Sequence, residues 1–278
     1  MTDHILLDNL CFGEGPRYHD GLLWLSDMHA QEVLTVNAAG ERQTIVSLAD
    51  DQPSGLGWLP NGDLLIVSMT KRQLLRHDGS HLVVHADLSA HASWYCNDMV
   101  VDAQGRAYVG NFGFDLHNRA KPKAAEIIRV DPDGSIHVED DQVMFPNGTV
   151  ITPDAKTLIV GESFGGRLTA FDIADNGSLS NRRTWAELPE GAVPDGICLD
   201  QGGGIWSASP TSNECIRQLE GGEVTHRITL DRGAFACMIG GDQLYVLTSS
   251  SSDPEQCRSR RDARVEMYAA PFAAAGWP

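Results

Sequence analysis

The chain has 278 residues, of which 42% are hydrophobic and 21% charged, a composition typical of a folded globular protein and not of a disordered one. Acidic residues outnumber basic ones 38 to 21, and the net charge of -17 argues against nucleic acid or an anionic membrane as a partner. No basic and apolar leader begins the chain, no apolar run reaches membrane-spanning length, and the six cysteines form no Cys-x-x-Cys pair. We therefore predict a cytoplasmic protein with reduced thiols.

One pattern is repeated six times: a polar or variable residue, a short apolar strand, a turn and a second apolar strand. The first copy starts at Glu14 and reaches a predicted strand at Leu22–Asp27. Predicted strands at Glu32–Val36 and Gln43–Val46 complete a four-stranded antiparallel unit. The later copies start at equivalent positions, which are Ser54, Asn97, Asn147, Asp195 and Phe235.

The spacing of these starting positions indicates the fold. They recur every 40 to 50 residues, which is typical of propeller blades. Helical repeats of similar length do not fit, because each unit is rich in turn residues and lacks an apolar period near 3.6. We predict an all-β, six-bladed β-propeller with four antiparallel strands per blade, forming one domain over residues 1–278. The segment Ile5–Leu10 is predicted to add an outer strand to the last blade, beside Val265–Tyr268, and so to close the ring.

Four of the starting residues carry a carboxylate or amide oxygen that can bind a hard cation: Glu14, Asn97, Asn147 and Asp195. The innermost strand of each blade lines the central channel, so these residues are expected to converge at one height. Two carboxylates with two amides suit a hard divalent cation such as Ca²⁺, Mg²⁺ or Mn²⁺. The alternative is that Asn and Asp begin blades because they tolerate turn conformations. That alternative does not explain Glu14, since Glu has no such preference.

Several motifs together resemble the senescence marker protein/gluconolactonase (regucalcin-like) family, and the resemblance runs through all six units. The motifs are Glu14-Gly15-Pro16, Asn97-Asp98, Pro146-Asn147-Gly148 followed by Thr152-Pro153-Asp154, and Pro194-Asp195-Gly196 followed by Asp200 and Trp206.

The resemblance implies a metal-dependent lactonase, which opens a small-molecule cyclic ester to the hydroxy acid. It implies one divalent ion at the mouth of the channel, held by Glu14, Asn147 and Asp195, with Asp195 also acting as general base. Asn97 would lie beside them in contact with substrate or water. Ca²⁺ is the favoured ion, with Zn²⁺, Mn²⁺, Mg²⁺ and Fe²⁺ as alternatives. The oligomeric state is left open.

Further predicted substrate contacts surround this set. Members of the family often carry an Arg two residues before the Asn of the third blade, where it contacts sugar hydroxyls; here that position is Tyr95, preceded by Trp94. The aromatic pair indicates a less polar substrate ring or a different grip, or else it packs a loop. His117 either reaches over the channel or is solvated. Asp98 either orients Asn97 or forms a turn.

Two other functions remain open: a metal-binding propeller without turnover, and an esterase or organophosphate hydrolase on the same fold. Residues Gly161 to Gly165 match the Gly-x-Ser-x-Gly pattern of serine hydrolases, which requires a strand-to-helix turn. The following residues Arg167–Asp172 alternate as a strand. Ser163 is therefore predicted to rim the pocket with Glu162, and not to be a nucleophile.

Overall fold

The structure of the protein, a computed structural model, describes residues 5–278. The first four residues, which belong to the predicted domain, lie outside the described residues. Six four-stranded antiparallel sheets are arranged as the blades of a six-bladed β-propeller, which confirms the predicted fold class.

The first half of the chain forms three blades after an initial strand. These strands are β1 (Ile5–Leu10); β2 (Gly13–His19), β3 (Leu22–Asp27), β4 (Glu32–Val36) and β5 (Arg42–Ser47) in blade one; β6 (Pro53–Trp58), β7 (Leu64–Ser68), β8 (Gln73–His77) and β9 (Leu82–Asp87) in blade two; and β10 (Cys96–Val101), β11 (Ala107–Asn111), β12 (Ala125–Val130) and β13 (Ile136–Val143) in blade three.

The second half forms the other three blades in the same order. These strands are β14 (Pro146–Ile151), β15 (Thr157–Glu162), β16 (Arg167–Ile173) and β17 (Leu179–Glu187) in blade four; β18 (Ile197–Leu199), β19 (Ile205–Ser209), β20 (Glu214–Gln218) and β21 (Val224–Thr229) in blade five; and β22 (Gly233–Gly240), β23 (Gln243–Ser249) and β24 (Ala263–Ala269) in blade six.

The ring is closed by the N-terminal strand. β1 pairs antiparallel with β24, with Leu7 opposite Val265, so blade six has the order β1-β24-β23-β22. The innermost strands β2, β6, β10, β14, β18 and β22 contact one another in a closed circle. The predicted role of Ile5–Leu10 as the outer strand of the last blade is confirmed.

Apolar side chains between neighbouring blades form the core. Leu65 and Leu74 of blade two pack with Met99 and Val109 of blade three, and all four are fully buried. Burying a side chain of this kind contributes roughly 1.5–3 kcal/mol to folding. Because each strand buries alternate residues against each neighbour, the core holds the innermost strands in fixed relative positions.

Two short helices were not predicted from the sequence. A 3₁₀ turn spans Met28–Ala30, and α1 spans Pro254–Arg260. The Asp253 side chain accepts a hydrogen bond from the Gln256 backbone N–H at 2.9 Å, and Pro254 occupies the first turn. An Asp-Pro pair is a common start of a helix, but here it stands between predicted strands and was not interpreted in that way. Over residues 5–278, no helix has the length and apolar character needed to cross a membrane.

Candidate active site

A cavity of about 630 Å³ lies over the innermost strands, and its walls include the starting residues of five blades. Four of these are the oxygen-bearing residues predicted to converge; we call them the oxygen ring: Glu14, Asn97, Asn147 and Asp195. The fifth is Phe235 of blade six. The structure therefore brings together residues that are up to 181 positions apart, between Glu14 and Asp195, in the chain.

Bulges in the innermost strands orient three of the four side chains of the oxygen ring. The pairing register shifts next to Glu14, and it shifts between Cys96 and Met99 and between Pro146 and Thr149, which encloses Asn97 and Asn147. A bulge inserts an unpaired residue and redirects its side chain out of the regular alternation. Glu14, Asn97 and Asn147 are therefore turned from the sheet faces towards the channel, whereas Asp195 precedes β18, whose pairing with β19 has no register shift.

Asp195 is fixed by backbone hydrogen bonds to three blades. Its N–H donates to the Ala208 carbonyl of blade five at 2.9 Å, and its carbonyl accepts from the Gly148 N–H of blade four at 3.0 Å. The next residue, Gly196, donates to the Phe235 carbonyl of blade six at 2.8 Å. Because these bonds join three blades at two consecutive residues, the position of the Asp195 side chain depends on the ring and not on a local turn.

The glycines after Asn147 and Asp195 allow the innermost strands of neighbouring blades to approach each other closely. Neither Gly148 nor Gly196 has positive φ. A Cβ at Gly148 would lie 2.3 Å from the Ile197 nitrogen, and one at Gly196 would lie 2.7 Å from Ala236 Cα. Such contacts are shorter than real Cβ atoms allow, so only glycine fits. The glycine of each pair is therefore required by the packing of adjacent blades and not by a tight turn.

The two amide side chains of the oxygen ring are held through their nitrogen atoms. Asn97 Nδ2 donates to the Pro146 carbonyl at 3.3 Å, and Asn147 Nδ2 donates to Ser163 Oγ at 3.2 Å. Ser163 Oγ in turn donates to the Pro194 carbonyl at 2.7 Å. Within residues 5–278 no protein donor bonds to either amide oxygen. Both oxygens are thus available as ligands, and the Ser163 hydroxyl orients Asn147.

The two carboxylates of the oxygen ring repel each other. Burial, together with the negative charges of Asp195 and Asp98, raises the pKa of Glu14 well above its usual range. Burial also raises the pKa of Asp195 to about 8, with a contribution from Asp98 and an opposing hydrogen bond from Asn147. A buried acid whose pKa is raised by neighbouring acids is a common feature of functional sites.

The nearest cationic side chain does not neutralise this pair. Arg17 Nη2 lies 2.6 Å from Asp98 Oδ1, and it also donates to the Met99 carbonyl at 2.5 Å. Asp98, for which the sequence predicted a substrate contact or a turn, is buried against Arg17 and does not line the cavity. A divalent cation bound by the oxygen ring would relieve the repulsion, so the donor set fits such an ion.

The oxygen ring is not a conventional cluster of acidic or histidine ligands. Across the part of the chain that the structure describes, no group of three or more His, Cys, Asp or Glu side chains could hold a metal ion. The predicted set of Glu14, Asn147 and Asp195 contains two carboxylates and one amide, and amide oxygens are ordinary ligands for calcium.

Of the remaining predicted substrate contacts, one lines the cavity and two pack behind its wall. His117 lines the cavity from an exposed loop. Trp94 and Tyr95 stack on each other at 5.2 Å, and Tyr95 lies 6.4 Å from the rings of Phe112 and His117. Neither Trp94 nor Tyr95 is among the lining residues. They pack behind the cavity wall, as the loop-packing alternative describes.

A group of aromatic residues at the cavity was not predicted from the sequence, and we call it the phenylalanine wall: Phe112, Phe114, Phe145 and Phe164. Phe112 and Phe145 stack at 4.4 Å, and the Phe114 and Phe164 rings meet edge to face at 5.1 Å. Three of the four line the cavity, and Phe114 supports them. The position of Phe145 two residues before Asn147 was a signal that could have indicated them.

Comparison with known proteins identifies the family. Residues 12–250 match the model of the SMP-30/gluconolactonase/LRE-like region. The chain belongs to this family. The motifs that suggested it, from Glu14-Gly15-Pro16 to Pro194-Asp195-Gly196, lie within the matched residues.

Individual members of the SMP-30/gluconolactonase family are distant relatives. Regucalcin of Gallus gallus is 27% identical over 256 residues, which cover 88% of this chain and 85% of that protein. A pentonolactonase of Haloferax volcanii is 28% identical over 194 residues, which cover 66% of this chain and 64% of that protein. The structure of a gluconolactonase from Xanthomonas campestris matches with a TM-score of 0.76 and 25% identity, covering 95% of this chain and 88% of that one.

Proposed function

We propose that the protein is a divalent-metal-dependent lactonase whose ion is held by Glu14, Asn147 and Asp195. The observation that carries the proposal is the oxygen ring: two mutually repelling carboxylates and two amides with free oxygens, in one cavity, with the neighbouring Arg17 already paired. The pentonolactonase and gluconolactonase among the relatives support the choice of a cyclic ester as substrate.

The residues of the oxygen ring have distinct roles in this reaction. When bound, a divalent ion supplies positive charge that polarises the ester carbonyl and favours the ionised form of both carboxylates. Asp195, as carboxylate, takes a proton from the water that adds to the carbonyl carbon. The ring C–O bond then breaks, and the proton passes to the departing ring oxygen to give the hydroxy acid. Asn97 positions the substrate or the water through its amide oxygen.

Ca²⁺ is the ion that we propose, because the four side chains offer only oxygen. Zn²⁺, Mn²⁺, Mg²⁺ and Fe²⁺ are the alternatives, since similar donor sets accept them according to geometry and supply. We also propose that residues 1–278 act as one domain in the cytoplasm. Its six cysteines are free and buried, and free thiols are typical of a reducing compartment.

The test combines elemental analysis with lactone hydrolysis before chelation, after chelation and after metal is restored. We expect about one divalent ion per chain, and activity that is lost with chelator and returns with the ion. Hydrolysis that persists in metal-free protein would overturn the mechanism. Bound metal without turnover of any lactone, aryl ester or phosphotriester would favour the non-catalytic metal-binding propeller instead.

A further inference from the structure

The wall of the cavity differs in character from the oxygen ring at its base. Phe112, Phe145 and Phe164 line it from blades three and four, while Phe12 and Met69 line it from blades one and two. Phe235 completes the circle from blade six, where it replaces the oxygen-bearing residue of the other blades. The oxygen ring is thus surrounded by aromatic and thioether side chains contributed by five blades.

Most polar side chains outside the oxygen ring line the cavity from blades other than those of the phenylalanine wall, which belongs to blades three and four: they are His29, Gln52, Thr211, Ser252 and Asp253. The Ser163 hydroxyl already bonds both Asn147 and the Pro194 carbonyl. His29 stacks on Phe12 at 5.1 Å, and its Nδ1 is buried without a partner among the described residues. Arg119 lies on an exposed loop at the rim. A hydroxyl held against the phenylalanine wall would have no partner among those aromatic rings, and burying an unpaired hydroxyl disfavours binding.

Two features of the phenylalanine wall indicate that it receives a ligand. Phe164 is 46% exposed although it is a large apolar side chain that lines the cavity. Phe145 has a φ of 63°, a conformation that bulky residues rarely adopt. Backbone strain of this kind persists where the surrounding structure maintains it, often at ligand sites. The wall therefore presents apolar surface to the cavity that a bound apolar group would cover.

We propose that the substrate is a lactone that carries a large alkyl or aryl substituent, and not a polyhydroxylated sugar lactone. This inference rests on the proposed lactonase function. The ester group would lie at the oxygen ring, and the substituent would lie against the phenylalanine wall. A cavity of about 630 Å³ falls within the range of ~300–1,000 Å³ that is typical of drug-sized ligands, so it has room for both.

The experiment measures kcat/KM for six-membered lactones with the metal-loaded protein. The alkyl series is δ-valerolactone, δ-octalactone and δ-decalactone, and D-glucono-1,5-lactone is the polyhydroxylated member of the same ring size. We expect kcat/KM to rise by ~4-fold for each methylene that becomes buried. We expect gluconolactone to be the poorest substrate of the four.

A variant tests whether the phenylalanine wall causes the preference for longer alkyl substituents. Phe164→Ala is expected to reduce kcat/KM for δ-decalactone by ~5- to 10-fold and that for δ-valerolactone by less, since removal of the ring uncovers the chain and not the ester. Phe272→Ala is the matched control, because Phe272 is 42% exposed but lies outside the cavity. It should retain the chain-length dependence of the unaltered protein.

The outcomes separate this inference from the function on which it rests. If gluconolactone is hydrolysed as well as δ-decalactone, the substrate class is wrong and the lactonase proposal stands. If no lactone is hydrolysed, both fail. A chain-length dependence that is the same in Phe164→Ala and in the unaltered protein would contradict the assignment of the substituent to the phenylalanine wall.

Discussion

Two buried glutamates near the cavity show how hydrogen-bond partners determine whether a buried carboxylate is structural or functional. Glu162 of blade four is fully buried, and it accepts hydrogen bonds from the Met144 N–H, Arg167, Thr169 and Arg182. Burial alone would raise its pKa, but the bonds from Arg167, Thr169 and Met144 outweigh burial, so the pKa lies below its usual range.

Glu14 of blade one is nearly as buried, at 8% exposed, but has hardly any partners. Its carboxylate accepts one hydrogen bond, from the Gly15 N–H at 3.3 Å, and its pKa is raised by burial and by the charges of Asp195 and Asp98. Buried polar groups normally have their partners, so an exception calls for a ligand. The comparison indicates that Glu162 stabilises the fold while Glu14 serves the site.

The largest expected effect comes from Asp195, the other under-partnered carboxylate. Asp195→Asn removes the proposed base but retains an oxygen ligand, so kcat should fall by roughly 10²- to 10⁴-fold. The hydrogen bonds that join this position to three blades use backbone atoms, so the variant should remain folded. Steady-state kinetics with a good lactone substrate, with circular dichroism as the check on folding, measures the effect. Activity within a few-fold of the unaltered protein would end the assignment of the base.

A matched pair of substitutions tests the comparison directly. Glu162→Gln leaves Arg167 and Arg182 without their anion, and we expect the free energy of unfolding to fall by about 3 kcal/mol. Glu14→Gln removes a carboxyl group whose raised pKa costs stability at neutral pH, so the metal-free protein should gain stability at pH 7, by about 1 kcal/mol. Urea unfolding in the presence of chelator measures both. Equal losses in the two variants would show that the two glutamates are both structural.

His29 is a third buried side chain with few hydrogen-bond partners, and its burial predicts that stability depends on pH. His29 is buried, and burial lowers its pKa to about 4. Between the unfolded value of about 6.5 and about 4, the unfolded chain binds a proton that the folded protein rejects. Stability therefore falls as pH falls through this window, by up to roughly 3 kcal/mol.

The measurement for His29 is urea unfolding at pH 7 and at pH 4.5. His29→Gln should reduce the difference in unfolding free energy between the two pH values. The same substitution at exposed His91 is the control, and it should leave the pH dependence of the unaltered protein in place. A pH dependence that survives His29→Gln would assign the acid sensitivity to other groups.

The fold and the oxygen ring were readable from the sequence because both follow from repetition. Turn residues and apolar alternation are local signals, and equivalent positions in repeated blades must lie at equivalent places around a channel. Asn147 and Asp195 were therefore predictable without any knowledge of their contacts.

Contacts without such repetition were not readable. The pairing of Arg17 with Asp98 joins blades one and three across 81 positions, so no local pattern indicates it. Phe112 and Phe164 leave their strands in loops whose conformations the sequence pattern does not specify. The bulges that orient Glu14, Asn97 and Asn147 depend on how adjacent innermost strands pack, as the close approach at Gly148 shows.

The smallest expected effect concerns a residue that acts through another. Ser163 holds Asn147 by accepting a hydrogen bond from its amide nitrogen, which keeps the amide oxygen free as a ligand. Ser163→Ala should weaken divalent-ion binding by ~10-fold, the usual effect of losing a group that orients a ligand. Ser252→Ala is the control, since Ser252 lies in the same cavity but its hydroxyl does not contact Asn147. Calorimetric titration of chelated protein gives the Kd, and urea unfolding gives the stability. Lower stability with an unchanged Kd would mean that Ser163 only packs the turn after β15. Weaker ion binding at unchanged stability would establish that Ser163 orients a metal ligand. The contrast between the fully hydrogen-bonded Glu162 and the under-partnered Glu14 would then extend from carboxylates to amides, because the amide oxygen of Asn147 is also left free for an ion.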